Sequence, residues 1–208
     1  MIAFYTWGTP NGRKVSVMLE ECGLPYRVIP VNPDTGAQYT PDFVKLNPNG
    51  RIPAIVDHDG PGGAPFTLWE SGAILIYLAG KTGRFLPEAP RERYVALQWL
   101  MFQISAVGPT CGQLHHFLHT AREPVPPATE RFRREKDRVY RVLDQRLDDN
   151  AYLAGEQYTI ADIATYPWVA RHERHQTDLG EFPNVKRWFD RVGARPAVQR
   201  GMQVPPLP

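Results

Sequence analysis

The apolar positions along the chain change period near residue 85. Before that point, short β-prone runs alternate with helical stripes. Residues 2–5 are apolar and rich in β-formers, which predicts a strand. After the turn cluster at 6–12, Val15, Met18, Leu19 and Cys22 recur at i, i+3, i+4 and i+7. That is the stripe of an amphipathic helix, and Gly23 is placed to stop it. Residues 26–31 predict a second strand, parallel to the first if the helix is their crossover. The polar stretch 32–49 has room for one short helix, around Pro41–Leu46. Ala54–Asp57 and residues 66–68 predict hairpin partners across a Gly/Pro turn at 58–64. Residues 70–81 predict a helix with Ile74, Leu75 and Leu78 on one face.

Beyond Gly83 no strand pattern returns. Leu97, Leu100, Met101, Ile104 and Val107 form a strong helical stripe, which Gly108-Pro109 is expected to end or kink. Residues 124–127 mark a connection, and Phe132, Val139, Leu143 and Leu147 run along a second long helix. Residues 155–170 predict a shorter helix, and within it Thr159-Ile160-Ala161-Asp162 has the S/T-x-x-D/E spacing of a capping box. Val185, Trp188, Phe189 and Val192 give a last amphipathic helix before Arg195-Pro196 and a proline-rich tail at 205–208. The fold class predicted is therefore α/β followed by all-α, with a small βαβ-ββα domain over residues 1–83 and a helical domain over 89–208.

Composition narrows the function classes. At 208 residues with 42% hydrophobic content and well-mixed charges, the chain suits a folded protein of one large or two small domains. The formal net charge of +2 gives no reason to expect nucleic acid or a membrane as partner. The N-terminus lacks the basic region and apolar core of a signal peptide, and no apolar run approaches bilayer length. Two cysteines, Cys22 and Cys111, make no C-x-x-C pair and no disulfide framework, which suits a reducing cytoplasm. Cys22 lies on an apolar stripe and reads as core, and Cys111 as structural. Any thiol chemistry would draw its sulfur from outside the chain.

Several residues have both a chemical and a structural reading. Pro53 has no N–H and cannot sit inside a strand paired on both sides. If Ile52–Pro53 is cis, the backbone of Ile52 faces open space and can pair with a small peptide; otherwise Pro53 is an ordinary loop proline. Glu70 and Ser71 fall where a strand ends and a helix begins. They suit a ligand carboxylate and ammonium, or simply cap the helix and complement its dipole. His115 and His119 are spaced to share a helix face, but no acidic residue completes an H-E-x-x-H motif, so they read as aromatic lining of a substrate cleft and no metal is expected. The basic run Arg131, Arg133, Arg134, Lys136, Arg138 and Arg141 is interspersed with Glu130, Glu135, Asp137 and Asp144, which describes a salt-bridged solvated face.

The run from Asn47-Pro48-Asn49-Gly50 through Arg51-Ile52-Pro53 to Asp57, together with Glu70-Ser71-Gly72 and Tyr158-Thr159-Ile160-Ala161-Asp162, resembles the cytosolic glutathione S-transferase family. Thr9-Pro10-Asn11-Gly12, Gln113-Leu114-His115-His116-Phe117 and Tyr166-Pro167-Trp168 resemble its bacterial Nu-class group of glutathione-dependent disulfide-bond oxidoreductases. The resemblance implies a thioredoxin-like domain followed by an all-helical one, with glutathione as co-substrate, in a cytoplasmic homodimer. It assigns Thr9 and Asn11 to the glutathione sulfur, Ile52 and Pro53 to the peptide, and Glu70 and Ser71 to the γ-glutamyl group. Gln38 and Arg51 would meet the glycine carboxylate, and Arg131 would reach across a dimer. It implies reduction of small disulfides by two bound glutathiones, since the protein supplies no sulfur pair. Conjugation of glutathione to hydrophobic electrophiles, in a pocket lined by Trp7, His115, His116, Phe117 and Trp168, is the alternative. A non-catalytic binding protein of the same fold is the third.

Overall fold

Local signals in the sequence set most of the first unit. In the computed structural model, which describes residues 1–206, strand β1 (Ile2–Thr6) leads through a tight turn into helix α1 (Pro10–Cys22). Thr9 caps the helix by accepting the N–H of Gly12 at 3.2 Å, Pro10 takes the first turn, where its missing N–H costs nothing, and Gly23 closes the other end with φ 65°. Strand β2 (Tyr26–Pro30) follows, then helix α2 (Pro41–Leu46), strands β3 (Ala54–Asp57) and β4 (Phe66–Trp69), and helix α3 (Ser71–Thr82). The sheet order is β2-β1-β3-β4. β1 and β2 are parallel, and the other two pairings are antiparallel.

This register decides which loops meet. Tyr5 pairs with Ala54, and Ala54 with Trp69. The segments leaving those positions are Thr6–Thr9, Ile52–Pro53 and Glu70–Ser71, so residues far apart in sequence share one end of the sheet. Phe4, Val15, Met18, Leu19, Ile55, Ile74, Leu75 and Leu78 are fully buried and form the core beneath.

The second unit, Phe85–Ala194, is helical. Helix α4 (Pro90–Phe102) continues through a π-helical turn (Gln103–Val107) into α5 (Gly108–His115) and a second π-helical turn (His116–Thr120). Of the two outcomes expected at Gly108-Pro109, an end or a kink, the helix therefore does not take the first. Pro109 cannot donate to the preceding turn, and the wider π turn just before it accommodates the lost bond within a continuous helix. Helices α6 (Pro126–Arg146), α7 (Ile160–Val169) and α8 (Pro183–Gly193) complete the unit, α7 starting at Ile160 rather than at the predicted residue 155 because Thr159 caps it. Asp162 is its polar centre, accepting the N–H groups of Leu153 and Thr159 and the indole N–H of Trp188, each at 2.9 Å.

The end of the chain departs from the predicted division. A short helix α9 (Pro196–Gly201), not foreseen from its residues, belongs with Met1–Arg84 in the first unit. Ser16 donates to the carbonyl of Gly201 at 2.7 Å, and a Cβ on Gly201 would come within 2.5 Å of the Val17 backbone, so only glycine permits this approach. Arg195 pairs with Glu21, and Arg200 with Glu20. Of the tail, Leu207 and Pro208 lie outside the described residues.

Candidate active site

The turn before α1 is tight because Thr9 N–H donates to Trp7 O at 2.7 Å, and Gly12 fits against it. A Cβ on Gly12 would overlap the Thr6 hydroxyl and sit 2.5 Å from Trp7 O. Capping uses one lone pair of Thr9 Oγ1 and leaves its O–H as a donor. The capping role and a ligand role are compatible at this residue.

The opposite wall is built by Asn47. Its side-chain amide donates to Arg51 O at 2.5 Å, its Oδ1 accepts Asn49 N–H at 2.9 Å, and its carbonyl accepts Gly50 N–H at 3.0 Å. Gly50 holds φ 60°, and a Cβ there would press on the Tyr39 ring at 3.1 Å. The loop is thus shaped before Ile52–Pro53, whose peptide bond is cis. A cleft of about 220 Å³ lies between these walls. Thr9, Asn11, Gln38, Arg51 and Ile52 all line it, joined by Pro33, Tyr39 and Gly50. Gln38 is 9% exposed; its amide N–H donates to Pro33 O at 3.3 Å, while its buried Oε1 has no partner. An unsatisfied buried acceptor in a cleft is suited to a ligand N–H.

Glu70 and Ser71 stand at the head of α3. Glu70 takes φ 69°, ψ 114°, a strained setting for a residue with a side chain, and its carboxylate is not spent on capping. The first turn of α3 thus has no side-chain cap from Glu70, and an uncapped helix start suits an anion. Below that turn lies Lys14, which the sequence patterns do not single out. It is 2% exposed, and its ammonium donates to Ser71 Oγ at 3.4 Å. Burial pushes its pKa down to about 7, against the opposing pull of Glu70.

The remaining sequence candidates lie elsewhere. Pro53 is buried behind Ile52. Arg131 is exposed on α6 of the helical unit. The rings of His115 and His119 are 4.8 Å apart, and that of His175 is 6.0 Å from His115. Burial and the surrounding cationic groups push His175 down to about 3, and among the described residues no group of three His, Cys, Asp or Glu side chains is arranged to hold a metal. Cys22 is half-buried rather than a full core residue, 3.5 Å from the Thr82 hydroxyl, and its thiol is held up by burial. Cys111 is fully buried, with its thiol pushed up to about 12. Neither has the depressed pKa of a nucleophilic cysteine.

The family model "Glutathione S-transferase, N-terminal domain" matches residues 9–81, and "Glutathione S-transferase, C-terminal domain" matches 107–196. The chain is 48% identical over 203 residues to disulfide-bond oxidoreductase YfcG of Escherichia coli, covering 97% of this chain and 94% of that protein. It is 38% identical over 213 residues to disulfide-bond oxidoreductase YghU of the same organism, covering 96% and 73%. A glutathione transferase from Burkholderia graminis, solved with two glutathione molecules bound per subunit, superposes with a TM-score of 0.94 at 46% identity, covering 100% of this chain and 89% of that one. One from Pseudomonas putida, with one glutathione disulfide bound per subunit, gives 0.94 at 43% identity, covering 98% and 91%.

Proposed function

Because the chain belongs to the glutathione S-transferase family and is a glutathione-dependent enzyme, we propose that its reaction is the reduction of small disulfides by two glutathione thiols. The observation that carries this reading is a cleft of about 220 Å³ that gathers Thr9, Asn11, Gln38, Arg51 and Ile52, in a unit whose one cysteine is not activated. Thr9 and Asn11, at the positive end of α1, orient and stabilise a thiolate. Ile52 pairs with the peptide backbone, Gln38 and Arg51 hold the glycine end, and Glu70 and Ser71 hold the γ-glutamyl ammonium and carboxylate. Arg131 adds a contact across a homodimer, in the cytoplasm, where glutathione is reduced.

The chemistry balances without a protein sulfur. One glutathione thiolate attacks a substrate sulfur, forming a mixed disulfide and expelling one substrate thiolate. The second glutathione thiolate attacks the glutathione sulfur of that mixed disulfide, forming oxidised glutathione and expelling the other substrate thiolate. The protons of the two glutathione thiols finish on the two product thiols, and the two electrons move with them. The protein contributes orientation of both sulfurs and a lowered thiol pKa.

The test is turnover of glutathione with 2-hydroxyethyl disulfide, read as oxidised glutathione, beside conjugation to an aryl halide. Disulfide reduction should be the faster reaction, and Asn11→Ala should lower its kcat/KM by roughly 10²-fold, the order seen when a preorganised donor to a reacting anion is removed. Full activity in that variant would remove Asn11 from the mechanism. Faster conjugation would replace the proposed reaction with the transferase one.

A further inference from the structure

Lys14 is placed to do more than fill space. We propose that it is a positioning residue for the anionic end of the ligand, setting the polarity of Ser71 and taking up a proton when a carboxylate binds at the head of α3. The inference rests on the glutathione reading above and extends it to a buried residue of α1.

The argument begins with hydrogen-bond counting. Serine Oγ carries one hydrogen and two lone pairs, and an ammonium can only donate. With Lys14 Nζ donating to Ser71 Oγ at 3.4 Å, one lone pair is occupied and the hydroxyl hydrogen turns away from Lys14. Ser71 then presents a donor, beside the uncapped first-turn amides of a twelve-residue helix. Such a site accepts a carboxylate and rejects an ammonium.

The charge balance points the same way. Ser71 Oγ is the one hydrogen-bond partner of Lys14 among the described residues. A buried ammonium with a single long hydrogen bond is under-stabilised, and its pKa of about 7 reflects that. Glu70, exposed at the head of α3, is the one acid that pulls it upward. The other acids on α1 and β3 are already paired. On α9 and just before it, Arg200 and Arg195 hold Glu20 and Glu21, about two turns further along α1. Asp57, at the far end of β3, is held by Lys81 and Tyr77. A carboxylate at Ser71 would be the missing counter-charge, so binding and protonation of Lys14 reinforce each other.

The probe is S-methylglutathione, which keeps both carboxylates and has no titrating thiol. Its binding to the whole protein is measured calorimetrically at pH 6 and pH 8, in buffers of different ionisation enthalpy. With Lys14 near 7 when the site is empty and charged when it is filled, uptake should approach one proton per site at pH 8 and vanish at pH 6, and affinity should be about tenfold weaker at pH 8. Lys14→Met should bind about 10- to 100-fold more weakly at pH 6, the usual cost of a lost charge-assisted bond, and take up no proton at either pH. Lys14→Arg keeps the charge at both values, so it should retain most of the affinity and also lose the uptake. If Lys14→Met does not fold, the wild-type uptake and Lys14→Arg decide the matter alone. Wild-type binding without proton uptake at pH 8, or uptake that persists in Lys14→Arg, overturns the role of Lys14. No binding by the wild type at either pH overturns the glutathione reading itself.

Discussion

Asp162 provides the sharpest test of what holds the helical unit together. It is fully buried, and its two oxygens are unequal in what they face. Oδ1 accepts two N–H groups, from Leu153 and Trp188. Oδ2 accepts one N–H and one hydroxyl, both from Thr159. Asp162→Ala leaves three buried N–H donors without an acceptor. At about 1–3 kcal/mol for each stranded donor, less the relief of no longer burying a carboxylate, the loss should be about 3–6 kcal/mol. Asp162→Asn is a milder change than alanine. Its carbonyl can keep the Leu153 and Trp188 bonds, and its NH₂ can donate to the Thr159 hydroxyl, which is able to turn and accept. Only the Thr159 N–H is then opposed, so about 1–3 kcal/mol should be lost. The assay is urea unfolding followed by tryptophan fluorescence, with Trp188 inside the network as a reporter. Alanine within about 1 kcal/mol of wild type, or asparagine as damaging as alanine, would refute this account of the network.

Three further outcomes follow from named contacts. Replacing both Cys22 and Cys111 by alanine should leave glutathione-dependent disulfide reduction unchanged, since neither thiol is activated; a large fall in kcat/KM would place a protein sulfur in the reaction. Gly12→Ala should lose about 1–3 kcal/mol of stability and a larger share of activity, because its Cβ must displace the Thr6–Trp7 turn that positions Thr9 and Asn11; wild-type kinetics would show the turn yields freely. Burial raises the pKa of Asp57, but the Tyr77 hydroxyl, Asp59 N–H and Lys81 outweigh it and hold the carboxyl below its usual value. Its contribution is therefore complete above the unfolded pKa of about 4 and is lost as pH falls through the lower folded value. Asp57→Asn should lower the urea midpoint at pH 7 and flatten its decline in acid, and an unchanged acid profile would exclude Asp57 as the source.

The sequence by itself determined the elements and the residue types of the cleft. Helical stripes, the Thr9 cap, the Gly23 stop and the Thr159–Asp162 box are local signals, acting over one or two turns, and each element they mark is present. The run around Ile52–Pro53 and the Glu70-Ser71 pair suggest a ligand site only through their resemblance to a family, since each residue alone also has an ordinary structural role. What only the tertiary structure decided depends on contacts distant in sequence. Nothing in the spacing along α1 marks Lys14; it is α3, lying against α1, that sets its buried ammonium beside Ser71, 57 residues away. Asn47 reads as a turn residue until its amide closes the loop carrying Arg51. Gly108-Pro109 reads as an end or a kink, and the π turn before it keeps the helix continuous. The return of α9 is invisible locally because it depends on Gly201 meeting Val17, a close approach between segments that no periodicity records. Local rules select the conformation of each segment, whereas burial and pairing depend on what the completed fold places beside it.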